Sequence, residues 1–416
     1  MLHTSLTIAL LAATFSGSAG DGAEPNWPRW RGPHADGHSQ EAGLPTTWNA
    51  DSIAWRVSLP GDGQSSPVIF GERIFLTSAL DAGRQRVVLC VDRNAGKIAW
   101  QQLAWRGDPE LTHEMNGWAS ATCATDGERV YAFFGKGGLH CFTVDGRRLW
   151  SKDLGSFEGP WGTAACPVLA GDLVIQNCDA DRDAALVALD KRSGAQVWRT
   201  KRPDFRGWST PVLAVVNGRE ELILNGHTGV QAYDPATGAE LWFCQSFNGR
   251  GEPTVTPADG LLVVLNGLRG DAYAIRPGGD GDVTATHRAW HTARTTGRDL
   301  SSPIVVNGVM LTMSLRPEAL LDGYDAATGR QLFKQRVGGR VAASPVAWDG
   351  KAFFLRENGE TVVIDPRAAQ PVAGINSLGT PDDEIFRASL APSDGQVFVR
   401  SNTALYCVGR RARAAR

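Results

Sequence analysis

The 416-residue chain lacks the cysteine patterns that build metal and redox sites. It has no CxxC, no adjacent cysteine pair and no CxxCH, which argues against a zinc knuckle, a thioredoxin-type site and covalent haem. Most of the seven cysteines lie in apolar stretches such as VVLCVD and ALYCVG. We therefore expect buried small hydrophobic residues rather than a disulfide framework.

An excess of charge of one sign is also missing, because 42 Lys and Arg face 44 Asp and Glu, for a formal charge of −2. This balance argues against nucleic acid as a partner. Beyond Ala19 no stretch approaches the roughly 20 apolar residues of a membrane helix, so we expect no transmembrane segment. A hydrophobic content of 42% indicates a globular chain with a large core.

The two ends of the chain differ from the rest. An apolar run over residues 6–15, followed by small residues to Ala19, predicts a signal peptide over residues 1–19 and a periplasmic or secreted protein. The weakly charged start leaves a disordered tail as the alternative. No cysteine follows the apolar run, so no lipoprotein anchor is expected. Residues 410–416, RRARAAR, form a basic tail that we expect to be disordered.

Tyrosine and methionine are scarce, at 5 and 4 residues, whereas glycine and tryptophan are abundant, at 48 and 14. Glycines recur every 42 to 56 residues at positions 71, 127, 171, 218, 260, 308, 350 and 395. A second series recurs every 44 to 50 residues and comprises Trp55, Trp100, Trp150, Trp198, Trp242 and Trp290. Two independent markers with one period predict a repeat protein.

Each repeat has the pattern of four short antiparallel strands separated by Gly, Asn or Asp turns. A period of 40 to 50 residues is typical of a propeller, because one blade cannot bury both of its faces alone. The last repeat lacks a fourth strand, and IAWRVSL at residues 53–59 is a fourth strand without a blade. The sequence thus predicts an all-β, eight-bladed propeller of four-stranded antiparallel blades over residues 53–409, closed by an N-terminal strand that completes the last blade. Residues 20–52 form a lead segment.

The motif AxDxxTGxxxW, present as AYDPATGAELW and in variants such as ALDKRSGAQVW, resembles the tryptophan-docking repeat of the pyrroloquinoline quinone (PQQ) propeller family. That family contains quinoprotein dehydrogenases and also cofactor-free members such as the outer-membrane assembly factor BamB. The lead, with WPRWRGPHADG, resembles that of a group of exported bacterial PQQ-like proteins. The resemblance implies a structural role for the six tryptophans of the series, which we call the docking tryptophans.

The residues just before each first strand should converge around the propeller axis and line the mouth of the channel. Several of them are aromatic or charged, which predicts one aromatic, cationic ligand pocket on the channel face. The alternative is that they hold channel waters and pair with one another. The candidate ligand-binding residues are Asn116, Trp118, Trp161, Arg206, Trp208, Arg250, Glu252, Arg298, Asp299 and Arg387.

The residues give little support to catalysis or a metal. Asn116, Glu252 and Asp299 could offer oxygens to Ca²⁺, but the vicinal disulfide of the family's methanol and ethanol dehydrogenases and the CxxCH of its quinohaemoproteins are absent. The acidic segment at residues 179–190 has an alanine where a calcium loop needs glycine. We therefore expect no catalytic residue, no metal and no cofactor, with PQQ and calcium left as the alternative.

The function expected from these observations is that of a BamB-like, monomeric binding scaffold. It would hold a protein or polymer partner on its channel face. The alternative is a PQQ-dependent alcohol or polyol dehydrogenase, as fold analogy alone allows.

Overall fold

The computed structural model describes residues 26–247, 250–268, 270–294 and 300–409, and these residues form eight antiparallel sheets. Helix is almost absent from them: besides two short 3₁₀ helices, Ala50–Ser52 and Gly135–Gly137, there is the four-residue α1, Thr284–His287. None of the described helices has the length and apolar composition to span a membrane.

The sheets follow one another along the chain as blades 1 to 8, and each blade runs from an inner strand at the axis to an outer strand. The strand that precedes all the blades in sequence is β1 (Ile53–Ser58). Blade 1 contains β2 (Val68–Phe70), β3 (Arg73–Leu80), β4 (Gln85–Asp92) and β5 (Lys97–Arg106). Blade 2 contains β6 (Ala124–Thr125), β7 (Arg129–Phe133), β8 (Leu139–Thr143) and β9 (Arg148–Lys152). Blade 3 contains β10 (Val168–Ala170), β11 (Leu173–Cys178), β12 (Ala185–Asp190) and β13 (Gln196–Lys201).

Blade 4 contains β14 (Val212–Val216), β15 (Arg219–Asn225), β16 (Gly229–Tyr233) and β17 (Glu240–Gln245). Blade 5 contains β18 (Thr256–Ala258), β19 (Leu261–Leu265), β20 (Ala272–Ile275) and β22 (Arg288–Thr292), while the short β21 (Gly281–Asp282) joins blade 4. Blade 6 contains β23 (Ile304–Val306), β24 (Val309–Met313), β25 (Leu320–Asp325) and β26 (Gln331–Arg336). Blade 7 contains β27 (Val346–Trp348), β28 (Lys351–Leu355), β29 (Thr361–Ile364) and β30 (Val372–Asn376).

Blade 8 closes the ring with strands from both ends of the chain. It contains β31 (Ala391–Ser393), β32 (Gln396–Arg400), β33 (Ala404–Val408) and, as its outer strand, β1. The β1–β33 pairing is antiparallel and extends from Ile53 opposite Val408 to Ser58 opposite Ala404. The structure thus confirms the eight-bladed propeller of four-stranded blades predicted from the repeats.

Burial explains why the second and third strands of each blade are almost wholly apolar. β3, β4, β11 and β12 are covered on both faces by neighbouring blades, whereas outer strands such as β5 and β26 expose most of their residues. The sheets therefore pack face to face around the axis, and the core lies between blades. All seven cysteines are described, and each is a buried free thiol.

The motif that carries the family resemblance forms the contact between successive blades. In blade 1, Asp92 accepts hydrogen bonds from the amides of Asn94 and Ala95 and so holds the turn that ends in Gly96. Gly96 has a φ of +62°, and the Trp55 ring of blade 8 lies so close that a Cβ there would be 2.6 Å from it. The Trp55 indole Nε1 donates to the Arg93 carbonyl at 2.8 Å. Glycine is thus required twice, for its backbone conformation and for the close approach.

Four other docking tryptophans make the same contact with the next blade. Their indole nitrogens donate to a turn carbonyl at 2.9 to 3.2 Å, and their rings cover a turn glycine; these tryptophans are Trp100, Trp150, Trp198 and Trp290.

Trp242 differs because blade 5 carries an insertion, residues 276–287, in place of the turn. The insertion includes β21, which pairs in parallel with β17 beside Trp242. Trp242 is fully buried, and its Nε1 donates to the buried Glu221 carboxylate at 2.8 Å. Arg219 also binds Glu221, at 2.7 Å, and reaches Asp280 in the insertion at 3.1 Å.

Candidate functional site

Inner strands begin at the same end of the ring, which we call the mouth, so the loops that lead into them surround the axis there. They enclose a cavity of about 330 Å³. Every blade contributes to its wall two residues that are two positions apart. The outer residue of each pair differs from blade to blade, as Gln64, Ser120, Ala164, Trp208, Glu252, Leu300, Ala342 and Arg387.

The deeper residue of each pair is a serine, threonine or cysteine in all eight blades. These residues form what we call the hydroxyl belt: Ser66, Thr122, Cys166, Thr210, Thr254, Ser302, Ser344 and Ser389. In seven of the eight steps around the ring, a belt amide donates to the side-chain oxygen or sulfur of the following blade at 2.8 to 3.3 Å. The belt therefore joins the blades at their narrowest radius, where no sheet hydrogen bonds connect them.

The belt makes a testable contribution to stability. Thr210→Val keeps the size of the side chain but leaves the buried Cys166 amide without its acceptor, now 3.0 Å away. An unsatisfied buried donor costs about 1 to 3 kcal/mol, and we expect the free energy of unfolding in urea to fall by that amount. Thr210→Ser, which keeps the hydroxyl, is the control and should stay within about 0.5 kcal/mol of the parent chain. A loss in Thr210→Ser with none in Thr210→Val, which keeps the methyl group, would show that the threonine methyl group, not the hydrogen bond, stabilises the ring.

The lead segment closes the opposite end of the channel. Trp27 pairs with Ile69 of blade 1, and the Pro28 carbonyl accepts from Thr125 of blade 2. Four blades away, the Arg31 guanidinium donates to Thr256 Oγ1 at 2.9 Å and to the Pro303 carbonyl at 2.7 Å. The chain thus crosses the axis between these residues, and Trp30 lines the cavity from below. The cavity is consequently open at the mouth and blind at its base.

Arg31 is fully buried on this crossing, and burial lowers its pKa to about 10, partly opposed by the nearby Asp36 carboxylate. A guanidinium with that pKa is still charged at neutral pH. Its hydrogen bonds to carbonyl and hydroxyl oxygens therefore compensate a buried charge, which fixes the position of the lead.

Six of the ten candidate residues line the cavity, namely Asn116, Trp161, Trp208, Arg250, Glu252 and Arg387. Trp161 and Trp208 are neighbours, since the Trp208 Nε1 donates to the Gly162 carbonyl at 2.9 Å. Asn116 Nδ2 donates to the Trp161 carbonyl at 2.7 Å. The His113 ring covers Trp161 with ring centroids 5.0 Å apart.

Two candidates lie elsewhere, which corrects the expectation of one pocket shared by all ten. Trp118 packs against Gly83, and its Nε1 donates to the Glu110 carbonyl at 2.8 Å. Arg206 forms an ion pair with Asp181 at 2.8 Å in the adjacent loop. Trp118 lies two residues before Ser120, and Arg206 lies two residues before Trp208, which are the cavity-lining residues of their blades. Both side chains contact a neighbouring loop and do not line the cavity. The other two candidates, Arg298 and Asp299, fall outside the described residues.

The charged side chains that line the cavity differ in whether they have hydrogen-bond or ion-pair partners. The Arg387 Nε lies 2.6 Å from Glu357 Oε1, and its other nitrogen donates to the Glu114 carbonyl, so this arginine ties two mouth loops together. A backbone amide, that of Leu268, donates to Glu252 at 3.4 Å. In contrast, the Arg250 guanidinium has no hydrogen-bond or ion-pair partner among the described residues.

Several hydrogen-bond donors of the cavity residues have no acceptor among the described residues. The Trp161 indole Nε1 is buried and has no partner within the described ranges. Ser66, Ser302 and Ser344 each accept an amide hydrogen, and their own protons meet no acceptor in that part of the chain. Because Arg250 adds a charged donor, the cavity is suited to an acceptor-rich, anionic ligand.

Among the described lining residues of the cavity, oxygen ligands suited to Ca²⁺ are few. Calcium takes six to eight oxygen ligands with carboxylates among them, and Glu252 is the one carboxylate in the described lining. Across the described ranges no group of three or more His, Cys, Asp or Glu residues could hold a metal ion. Cys166, the cavity-lining cysteine, is a free thiol whose pKa is raised by burial. Indole faces suited to a quinone, those of Trp161 and Trp208, are present in the lining.

The hydroxyl belt and the crossing lead were not anticipated from the sequence. The belt positions recur every 42 to 56 residues, so they form a third series with the same period as the glycines and tryptophans. The sequence contains this third series, but serine, threonine and cysteine share its positions, and the period is therefore harder to recognise. The lead carries no repeat and hence no periodic signal.

Comparison with solved structures supports the fold. BamB from Moraxella catarrhalis aligns with a TM-score of 0.63 and 15% identity over 88% of this chain and 99% of that one. A europium-containing methanol dehydrogenase aligns with a TM-score of 0.67 and 12% identity over 93% of this chain and 98% of that one. At such identities the likeness extends to the fold alone.

No curated protein matches the sequence closely enough to show common descent. A protein family does match: the family described as outer membrane protein assembly factor BamB, PQQ_2, matches residues 41–158, 83–267 and 229–410. These matches extend over nearly all of the propeller, and so the chain belongs to the PQQ_2 family of the outer membrane protein assembly factor BamB.

Proposed function

We propose that this chain is an exported, non-catalytic binding scaffold that holds a protein or polymer partner at the mouth of its propeller. The observation that carries the proposal is the Arg250 guanidinium, which lines a blind cavity and has no partner in the described chain. Burying such a donor without acceptors is costly, so a ligand that supplies oxygen acceptors gains affinity from it. The part of the partner that enters the cavity is anionic.

The surroundings of the cavity support a partner larger than a metabolite. Exposed apolar side chains belong to three different mouth loops, with Leu111 74% exposed, Ile385 40% and Phe247 38%. They lie in the connections before blades 2, 8 and 5, on the side from which the cavity opens. Exposed apolar side chains on the same side of the protein as a polar, charged pocket are typical of macromolecular recognition.

Binding of anionic polymers tests the role of Arg250. We expect poly-glutamate or poly-galacturonate to bind the purified chain, and Arg250→Gln to weaken that binding about 10- to 100-fold, the usual range for loss of a charge-assisted hydrogen bond. Isothermal titration calorimetry at fixed salt measures the affinities. Arg147→Gln is the matched control, because Arg147 is an exposed arginine in the turn between β8 and β9. Equal losses in the two variants would show only a diffuse charge effect.

Catalysis is tested separately. The purified chain is incubated with PQQ and Ca²⁺ or a lanthanide, and dye-linked oxidation is followed over a panel of alcohols and polyols. We expect no turnover above that of a sample without protein. Turnover that is lost in Glu252→Gln would replace the scaffold proposal with the dehydrogenase alternative.

A further inference from the structure

We infer that the cavity binds the terminal residue of an acidic polysaccharide, a sugar ring that carries a carboxylate. This inference rests on the proposed function and names the ligand of the same site. It is carried by three features of the described residues: the closed base, the unpartnered Arg250 guanidinium, and the small number of free backbone amides at the belt.

The closed base determines that an end, not an internal segment, is bound. The lead crosses the axis from Pro28, at blade 2, to Arg31, at blades 5 and 6, and Trp30 lies beneath the cavity. A polymer therefore cannot pass through the ring and must enter and leave by the mouth. The volume of about 330 Å³ is at the lower limit of ligand pockets, roughly 300 to 1,000 Å³, and suits one or two ring-sized units.

The unpartnered guanidinium determines that the end is anionic. Arg250 and the Ser302 hydroxyl proton lack an acceptor within the described chain, and Arg250 is the charged donor of the two. A neutral sugar hydroxyl brings a donor of its own together with its acceptor lone pairs, whereas a carboxylate brings acceptors only. A guanidinium also matches the paired oxygens of a carboxylate in geometry.

The backbone favours a saccharide over a peptide. Peptides are commonly held by main-chain hydrogen bonds, as when a strand is added to a sheet edge. At the belt the amides of Ser66, Cys166 and Thr254, like four others, already donate to the next blade, so the wall offers few main-chain donors. What it offers instead are side-chain hydroxyls and the neighbouring indoles of Trp161 and Trp208. Flat apolar faces beside polar groups suit a pyranose ring, which has apolar C–H faces and a polar edge.

A series of defined oligomers tests this inference by calorimetry, with tryptophan fluorescence as a readout from the cavity. The probes are di-, tri- and hexagalacturonate, the neutral galactose oligomers of equal length, and an acetylated hexapeptide with either a free or an amidated C-terminal carboxyl group. We expect the three acidic oligomers to bind within about threefold of one another, because the cavity is filled by the end of each. The neutral oligomers should bind at least about 10-fold more weakly.

Two variants connect the affinity to the cavity. Arg250→Gln should lower the affinity for the acidic oligomers at least about 10-fold and leave the weak affinity for the neutral ones within about twofold. Arg147→Gln should bind as the parent chain does.

Other outcomes overturn the inference in distinct ways. Affinity that keeps rising with oligomer length would mean that an internal segment is bound. Equal binding of the neutral oligomers would exclude recognition of the carboxylate. Preference for the free-carboxyl peptide, lost on amidation, would assign the cavity to a protein terminus and leave the scaffold proposal intact. If none of the probes binds while PQQ and Ca²⁺ give turnover, both proposals fail; if none binds without turnover, the saccharide inference alone is rejected.

Discussion

Deletion of residues 20–60 is expected to convert the folded protein into aggregates. The deletion removes β1, whose pairing with β33 completes blade 8 and closes the ring. The edge left behind, Ala404–Val408, is entirely buried in the intact protein, and such apolar unpaired edges pair with other chains. The deletion also removes the lead, including Trp27, Trp48 and Arg31, from the core. Size-exclusion chromatography with light scattering and thermal unfolding measure the outcome.

Two shorter deletions separate these effects. Removing residues 1–25 alone leaves every described contact in place and should leave a folded protein with an unchanged melting temperature. Removing residues 26–48 keeps β1 but opens the base of the channel, so we expect a destabilised but closed ring. A monomeric 20–60 deletion that melts at the temperature of the parent chain would refute closure through β1.

Periodic features of the sequence were sufficient to predict the architecture. At five contacts between blades a docking tryptophan covers a turn glycine, as Trp55 and Gly96 show, so the same residue types recur at the same place in the repeat. The unpaired fourth strand at residues 53–59 was enough to predict closure, since blade 8 had no other source for it. Local pattern and global fold therefore agree over the propeller.

The site was only partly predictable, because its residues come from loops whose course the repeat does not fix. Trp208 occupies the cavity-lining position of blade 4, but Trp118 precedes the corresponding position of blade 2 by two residues and packs on Gly83. Arg387 was a candidate ligand-binding residue and does line the cavity, but it forms an ion pair with Glu357, which the sequence does not bring near it. Equivalent positions in a repeat converge, but neighbouring positions need not.

The blind base could not be predicted at all. Whether residues 26–52 cross the axis depends on distant partners for Arg31, and Thr256 is the single polar residue among the inner positions two residues below the belt. The other seven blades have valine, alanine or isoleucine there. A single hydroxyl among eight equivalent positions gives no periodic signal in the sequence. Its role as a hydrogen-bond partner of Arg31 is visible only in the structure.

Trp242→Ala is expected to lower the free energy of unfolding by about 3 to 5 kcal/mol, the usual cost of emptying a large aromatic site in a core. Trp242 is fully buried between blade 4 and the insertion of blade 5, and its indole binds the buried Glu221 carboxylate. The substitution leaves both a cavity and a carboxylate that has lost one of its donors. Arg219 continues to neutralise Glu221, so the protein should still fold.

Two other variants show whether the lost apolar volume or the lost hydrogen bond to Glu221 causes most of the destabilisation. Trp242→Phe retains much of the apolar volume but not the N–H group, and we expect a loss of about 1 to 3 kcal/mol from the weakened carboxylate. Trp198→Ala removes a docking tryptophan of the common kind, 8% exposed with its Nε1 on the Pro235 carbonyl, and should also cost about 3 to 5 kcal/mol. Urea unfolding measures all three. Losses below about 1 kcal/mol in both alanine variants would mean that the blades are not held together by their tryptophans, and that the hydroxyl belt at the axis carries the ring instead.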